Sequence, residues 1–230
     1  MKVLAIDTST MMSSICVLDG GVVLGEYSLN QEQTHSELLL PMTDALLKGL
    51  GLKLSDIDLY AVAKGPGSFT GLRIGMSAVK TMAQVLDKKI VGVSTLEGLA
   101  YGVISEKLIM PLIDARGKRF FAGIYKWEGG KLINKHEDSL YNFKDIKNFL
   151  ENSEDEFVLV GEGTNLVKED LDGLNNLSFA HSGLNNCISS SIGLIGLEKA
   201  QENELDNYFD LAPNYIRKSQ AEIDYGKRNS

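Results

Sequence analysis

Residues 64–80 read KGPGSFTGLRIGMSAVK, with glycines, a serine and a threonine crowded at the entrance to a helical pattern. A loop of this kind either cradles phosphate or turns the chain sharply from a strand into a helix. A Walker loop places four residues between its glycines and follows the second with Lys and Ser or Thr. Here Gly67 and Gly71 enclose only Ser68, Phe69 and Thr70, and no lysine follows, so the stretch is not that loop. Gly65 and Gly67 around Pro66 permit a tight turn, and Ser68 or Thr70 can cap the free amides of the following helix. Those amides can equally attract an anion. Phe69 is the unusual residue: a large apolar side chain between capping hydroxyls must staple into the core or face a partner.

Working outward, 230 residues with 43% hydrophobic content suffice for one large domain or two small ones. The formal net charge of -8 opposes a private RNA- or DNA-binding surface, which needs clustered Lys and Arg. Nucleic acid, if involved, is expected to be held through a partner. Cys16 and Cys187 stand alone without CxxC spacing, which suggests buried thiols rather than a zinc site or a disulfide. No apolar run approaches the roughly 20 residues of a membrane span, and Asp7 interrupts the start MKVLAIDTST too soon for a signal peptide. A cytoplasmic protein with no membrane partner is expected.

The first thirty residues read as a three-stranded meander, KVLAIDTS, SSICVLDGG and VVLGEYSL, turning at Gly20 and Gly21. The period then becomes helical in THSELLLPMTDALLKGLG, with Thr34 as cap, Glu37 three residues on, and Pro41 as a kink or a sign of a later start. A strand DLYAVAKG, a helix over about 70–86, a strand KIVGVS and a helix opened by Ser94 or Thr95 follow. The second half repeats the order. KLIMPLIDARGKRFFAGIYKWEGGKLINKHEDSL gives strand, Asp114, strand, Gly129-Gly130 turn and strand, then a helix NFKDIKNFLEN and a strand EFVLVGEG. The expected architecture is α/β, two lobes built from duplicated mixed-sheet units. The first covers residues 1–104 and is completed by the tail 211–230; the second covers 105–210 and carries a last helix near 189–203.

Two strands ending in Asp, one per half, resemble the actin, sugar kinase and Hsp70 superfamily, where a nucleotide lies between the lobes. That resemblance makes Asp7 the carboxylate that orients a metal-bound water, with Thr8, Ser9 and Thr10 as neighbouring donors. The alternative is that DTST satisfies its own turn. His35 is no metal ligand by itself, because position 39 is Leu39 and His136 and His181 lie far away in sequence. A nucleophile elbow and a Cys with a convincing His partner are both missing. On the helix from Leu38 to Leu50, Leu38, Leu39, Met42, Ala45, Leu46 and Leu50 fill an arc of about 140°, with Leu40 and Leu47 outside it. One side packs on the sheet; the other either meets a second chain or is sandwiched within this one.

Taken in order, IDTST, HSELLLP, GPGSFTGLRIG, STLEGLA, IDARGKRFFAGIY and PNYIRKSQAE resemble the bacterial TsaB family, also called YeaZ, over nearly the whole chain. The resemblance implies a non-catalytic, scaffolding subunit in the synthesis of threonylcarbamoyladenosine beside the tRNA anticodon. Its implied partners are the related TsaD, which binds the metal and transfers the threonylcarbamoyl group, the ATPase TsaE, tRNA through the complex, and a second copy when TsaD is absent. The implied partner surface comprises His35, Leu38, Leu39, Met42, Leu46, Ser68, Phe69 and Thr70. No cofactor is required, and Asp7, Thr8 and Ser9 are the candidates for a weak adenine-nucleotide contact at the complex interface. The competing reading is a free-standing ATPase of this fold or a glycoprotease-type metalloprotease.

Overall fold

The computed structural model describes residues 1–30 and 35–216. The expected cap Thr34 and the tail from Arg217 onward lie outside the described residues. The first sheet begins with an antiparallel meander of β1 (Lys2–Asp7), β2 (Met12–Asp19) and β3 (Val22–Asn30), to which β4 (Leu59–Gly65) and β5 (Lys89–Ser94) add in parallel. Its order is β3-β2-β1-β4-β5. β1 and β4 carry near-continuous apolar runs because both of their faces are covered, as central strands require. One face packs against α1 (His35–Leu50) and α2 (Phe69–Leu86), with Leu4, Ile6, Tyr60 and Val62 meeting Leu39, Leu46, Met76 and Val79. The other face meets α3 (Thr95–Tyr101) and, from the end of the chain, α5 (Ser189–Gln201).

The second sheet has β6 (Leu108–Asp114), β7 (Arg119–Glu128) and β8 (Lys131–Asn142) as a meander, then β9 (Phe157–Val160) and β10 (Leu177–Phe179) in parallel. Between β8 and β9 runs α4 (Phe143–Glu151), which buries Ile146 and Leu150 against the sheet. Read from its meander edge, the order β8-β7-β6-β9-β10 matches the first sheet strand for strand. Both meanders turn on paired glycines with positive φ, 57° and 87° at Gly20 and Gly21, 58° and 81° at Gly129 and Gly130. The sheets differ in one connection. A full helix, α2, leads from β4 to β5, whereas β9 is followed only by a 3-10 turn at Glu162–Leu166 and irregular chain.

One apolar cluster joins the two sheets, with Val91, Leu96 and Ile192 packed together with Ile113, Phe121 and Tyr125. After α5 the chain returns to the first sheet. Asp206 bridges Ile90 and accepts from the Gly92 amide at 2.8 Å, Leu211 enters the α1–α2 core, and the Asn214 amide donates to the Lys64 carbonyl at 2.6 Å. Among the described residues, no helix is long and apolar enough to cross a membrane.

Candidate functional site

The loop after β4 is closed on the chain's own first turn. The peptide bond between Gly65 and Pro66 is cis, and Ser68 caps α2 by accepting from the Gly71 amide at 3.2 Å. The Ser68 amide donates to the Ser9 carbonyl at 2.6 Å, and the Thr8 hydroxyl donates to the Gly71 carbonyl at 2.7 Å. Gly67, Gly71 and Gly75, four residues apart, form a stripe along α2. A methyl on them would collide with the Ser9 carbonyl, the Thr8 carbonyl and the Thr8 hydroxyl respectively. The glycines therefore allow the start of α2 to lie directly on the Thr8–Ser9 backbone. Thr70, the other candidate cap, faces solvent.

Asp7 ends β1 at 1% exposure. Its Oδ1 accepts from the Ser9 amide at 2.7 Å, while Oδ2 and the Ser9 hydroxyl have no hydrogen-bond partner. Burial raises the Asp7 carboxyl above the usual carboxylate range, and burial together with the neighbouring Asp7 holds the Cys187 thiol well up as well. Asp7, Thr8 and Ser9 are thus enclosed by the protein, which corrects the expectation of a nucleotide contact through them: no surface there is open to one. The alternative reading of DTST, a turn satisfied by its own neighbours, describes the Asp7 Oδ1 and the Thr10 hydroxyl, which accepts from the Met12 amide at 3.3 Å, whereas Thr8 bonds to distant Gly71.

A second anion-binding end is also occupied from within. α5 starts at Ile188 without a side-chain cap of its own. Glu26, from the middle of β3, supplies the missing acceptor: Oε1 takes the Ser190 amide at 2.8 Å and the Ser189 hydroxyl at 2.9 Å, and Oε2 takes the Ser190 hydroxyl at 3.0 Å. Ser14 adds a bond from the Ser189 amide at 3.0 Å. Sequence reasoning missed Glu26. The available signal was a lone carboxylate in an otherwise apolar strand, facing three consecutive serines far along the chain.

The partner surface expected on α1 divides in two. Leu39, Met42 and Leu46 lie in the chain's own core, Leu39 at 1% exposure, and Leu46 rests on β3 where Gly25 leaves room. This corrects their assignment to a partner. Leu38, Leu39 and Leu40 are consecutive and spread around more than half the helix, so the pattern alone could not say which of them turns to the sheet. Leu40, at 61% exposure, is the one that faces out, and Leu38 is half-buried. His35 pairs its Nδ1 with the Ser13 hydroxyl at 2.6 Å and packs on Gly71, pinning the start of α1 to β2 and α2. No group of three His, Cys, Asp or Glu that could hold a metal occurs among the described residues.

Between α1 and α2 lies a shallow groove of about 660 Å³. Leu40 and Phe69 stand on its rims, Ile74 and Met82 line it, and Ser77, Ala78 and Thr81 make its α2 wall low enough for another helix to approach closely. Phe69 is fixed by the returning tail: its ring stacks on Tyr215 with centroids 4.7 Å apart, under the Arg73 guanidinium at 4.1 Å. Arg73 Nε donates to the Tyr215 hydroxyl at 2.9 Å. Phe69 therefore both staples to its own chain and edges the groove.

Comparison with known proteins agrees with this geometry. A family described as "TsaD: tRNA N6-adenosine threonylcarbamoyltransferase" matches residues 22–225. The tRNA threonylcarbamoyladenosine biosynthesis protein TsaB of Bacillus subtilis is 33% identical over 96% of both chains, and its Escherichia coli counterpart is 31% identical over 71% of this chain and 72% of its own. The structure of YeaZ from Pseudomonas aeruginosa superposes with a TM-score of 0.77 at 24% identity, covering 93% of this chain and 99% of that one. The ROK hexokinase of Thermus thermophilus, 12% identical and with a TM-score of 0.51 over 88% of this chain and all of its own, shares the fold alone. The α/β fold is accordingly the one seen in YeaZ and, at lower similarity, in that hexokinase. With the Bacillus subtilis protein 33% identical over 96% of both chains, the chain belongs to the TsaB (YeaZ) family.

Proposed function

We propose that this chain is the non-catalytic scaffolding subunit of a tRNA threonylcarbamoyladenosine synthesis complex, and that it docks on the transferase TsaD through the α1–α2 groove. The observation that carries the reading is the groove itself: an exposed Leu40 and a low wall of Ser77, Ala78 and Thr81 beside a fully packed core. An apolar surface of that shape on a folded chain marks a protein partner. The enclosed Asp7 turn and the Glu26-occupied start of α5 support an adaptor role, because both anion-binding ends are filled by the protein's own groups. In this reading TsaE joins the pair, tRNA is reached through the complex, and a second copy takes the groove when TsaD is absent. The matching strand orders support a two-lobed architecture from an internal duplication, the first lobe over 1–104 completed by the returning tail and the second over 105–210.

The test is reconstitution. The purified chain, TsaD and TsaE are mixed with tRNA, ATP and threonylcarbamoyl-adenylate as the group donor, and threonylcarbamoyladenosine formation is measured with and without each component. The expected result is no modification by this chain alone and a strong gain when it joins TsaD. Full modification by the chain alone, or by TsaD and TsaE without it, would overturn the proposal.

A further inference from the structure

The turn from β6 to β7, DARGKR, gathers Arg116, Lys118 and Arg119 within four residues of a protein whose net charge is -8. None of the three has an ion-pair partner among the described residues, although eight other ion pairs form there. Of the nearby carboxylates, Asp114 accepts from the Arg116 amide at 2.8 Å, Asp145 accepts from the Asn142 side chain at 3.1 Å, and Glu162 lies beside Asp114, where burial and that neighbour raise its carboxyl and favour its neutral form. Arg116 and Lys118 are exposed, and Lys144 adds a further exposed cation next to Phe143, whose amide donates to the Lys118 carbonyl at 2.9 Å.

The loop is also held stiff. Arg116, Gly117 and Lys118 are consecutive left-handed residues with φ of 64°, 67° and 57°. Two of them carry side chains, a conformation that L residues rarely adopt and that persists only where the surroundings impose it. The Ala115 amide to the Arg119 carbonyl at 2.9 Å and the Arg119 Nε to the Arg116 carbonyl at 3.4 Å close the turn. The Gly117 and Lys118 amides make no hydrogen bond among the described residues, and Arg116, Gly117 and Lys118 are all exposed. Uncompensated cations on a rigid turn, with free amides beside them, suit phosphate oxygens. The acidic remainder of the chain repels RNA at long range, but within about a Debye length of 8 Å the local cations dominate.

We propose that this turn is a phosphodiester contact for the RNA substrate, made by the scaffolding subunit itself. The inference rests on the proposed role beside TsaD, since it is that role which brings an RNA to this chain. Its test compares the wild-type chain with a triple variant, Arg116→Asn, Lys118→Asn and Arg119→Gln, each in complex with TsaD. Asn tolerates the left-handed backbone, so the fold is kept, and a thermal melt confirms this. The expected result is a tRNA affinity at least ten-fold weaker near 0.1 M salt, with the slope of log K against log salt shallower by about 2 to 3, near one per lost contact. Unchanged affinity and slope in an intact complex overturn the proposal. So does a variant that fails to bind TsaD without RNA, which would make the turn a protein contact, or one that loses only ATP binding, which would make its ligand a free nucleotide. Failure of the wild-type chain to capture TsaD would instead refute the scaffold reading.

Discussion

Leu39 and Leu40 are sequence neighbours with opposite environments, and substituting each in turn separates the fold from the interface. Leu39 is 1% exposed and packed in the α1–α2 core, so Leu39→Ala should cost about 2–5 kcal/mol of stability. For a chain of this size that lowers the melting temperature by roughly 4 °C to 20 °C. Leu40 is 61% exposed, and Leu40→Ala should leave the melt within about 0.5 kcal/mol of wild type. Burying a whole leucine side chain is worth about 1.5–3 kcal/mol, so covering the exposed part of Leu40 in a complex is worth about 1–2 kcal/mol. That corresponds to about five- to thirty-fold weaker binding of TsaD by Leu40→Ala. Leu40→Glu forces a carboxylate into an apolar contact and should reduce binding by at least about 100-fold without unfolding the chain. Calorimetric titration with TsaD reads the affinity, and a thermal melt of the chain alone reads the fold. If Leu40→Glu binds TsaD as tightly as wild type, the groove is not the docking surface; if Leu39→Ala melts as wild type, the inward placement of Leu39 is wrong.

Three further outcomes follow from the packing around the first turn. Gly71→Ala puts a methyl against the Thr8 carbonyl, a backbone atom with no freedom to withdraw, and should cost about 1–3 kcal/mol or more in urea unfolding; an unchanged midpoint contradicts the close approach. Asp7 has its carboxyl raised from 3.8 by burial, so the folded form holds the proton more tightly than the unfolded one. Its contribution to stability is complete below about 3.8 and is lost as pH rises through the higher folded-state value. Asp7→Asn should therefore gain on wild type as pH increases, by about 1–3 kcal/mol at neutrality, and a difference that shrinks with pH rejects this account. Glu26→Ala removes the acceptor of the Ser190 amide and both serine hydroxyls, and should destabilise the chain by about 1–3 kcal/mol in the same assay, whereas a neutral effect means that the bond network contributes little.

What the sequence shows well is local. β5 spans the KIVGVS run, and α2 begins at Phe69 because Ser68 caps it and the glycines before it turn the chain. Pro41 sits on the exposed side of α1 without ending the helix. Contacts between distant segments left no periodic trace. The burial of Thr8 and Ser9 needs Gly67, Gly71 and Gly75 laid against them, about sixty residues later. The Glu26 carboxylate and its serines are 163 and 164 residues apart, and the stacking of Tyr215 on Phe69 joins the last described residues to the start of α2. Even the partner-facing side of α1 was ambiguous, since three consecutive leucines fit either orientation until Gly25 of β3 shows where Leu46 can settle.

The two meander turns, equivalent in strand order, have been put to opposite uses by the connection that follows the next strand. In each, the Asp ending the first strand accepts the amide two residues on, Ser9 for Asp7 at 2.7 Å and Arg116 for Asp114 at 2.8 Å. Beyond β4, Gly67 and the helix behind it press on Thr8 and Ser9 and remove the turn from solvent. Beyond β9 the glycines are Gly161 and Gly163, and both press on the Leu112 carbonyl, within β6 and short of its turn. Only a 3-10 turn follows them, so nothing covers Arg116, Gly117 and Lys118 as α2 covers Thr8 to Thr10. A closed first turn stiffens the sheet that carries the α1–α2 groove, and an open second turn leaves cations available. On the proposed reading, docking on a protein and touching a phosphate fall to different sheets of one chain, so the Arg116 variants should weaken tRNA binding and spare TsaD binding, whereas Leu40→Glu should lose both.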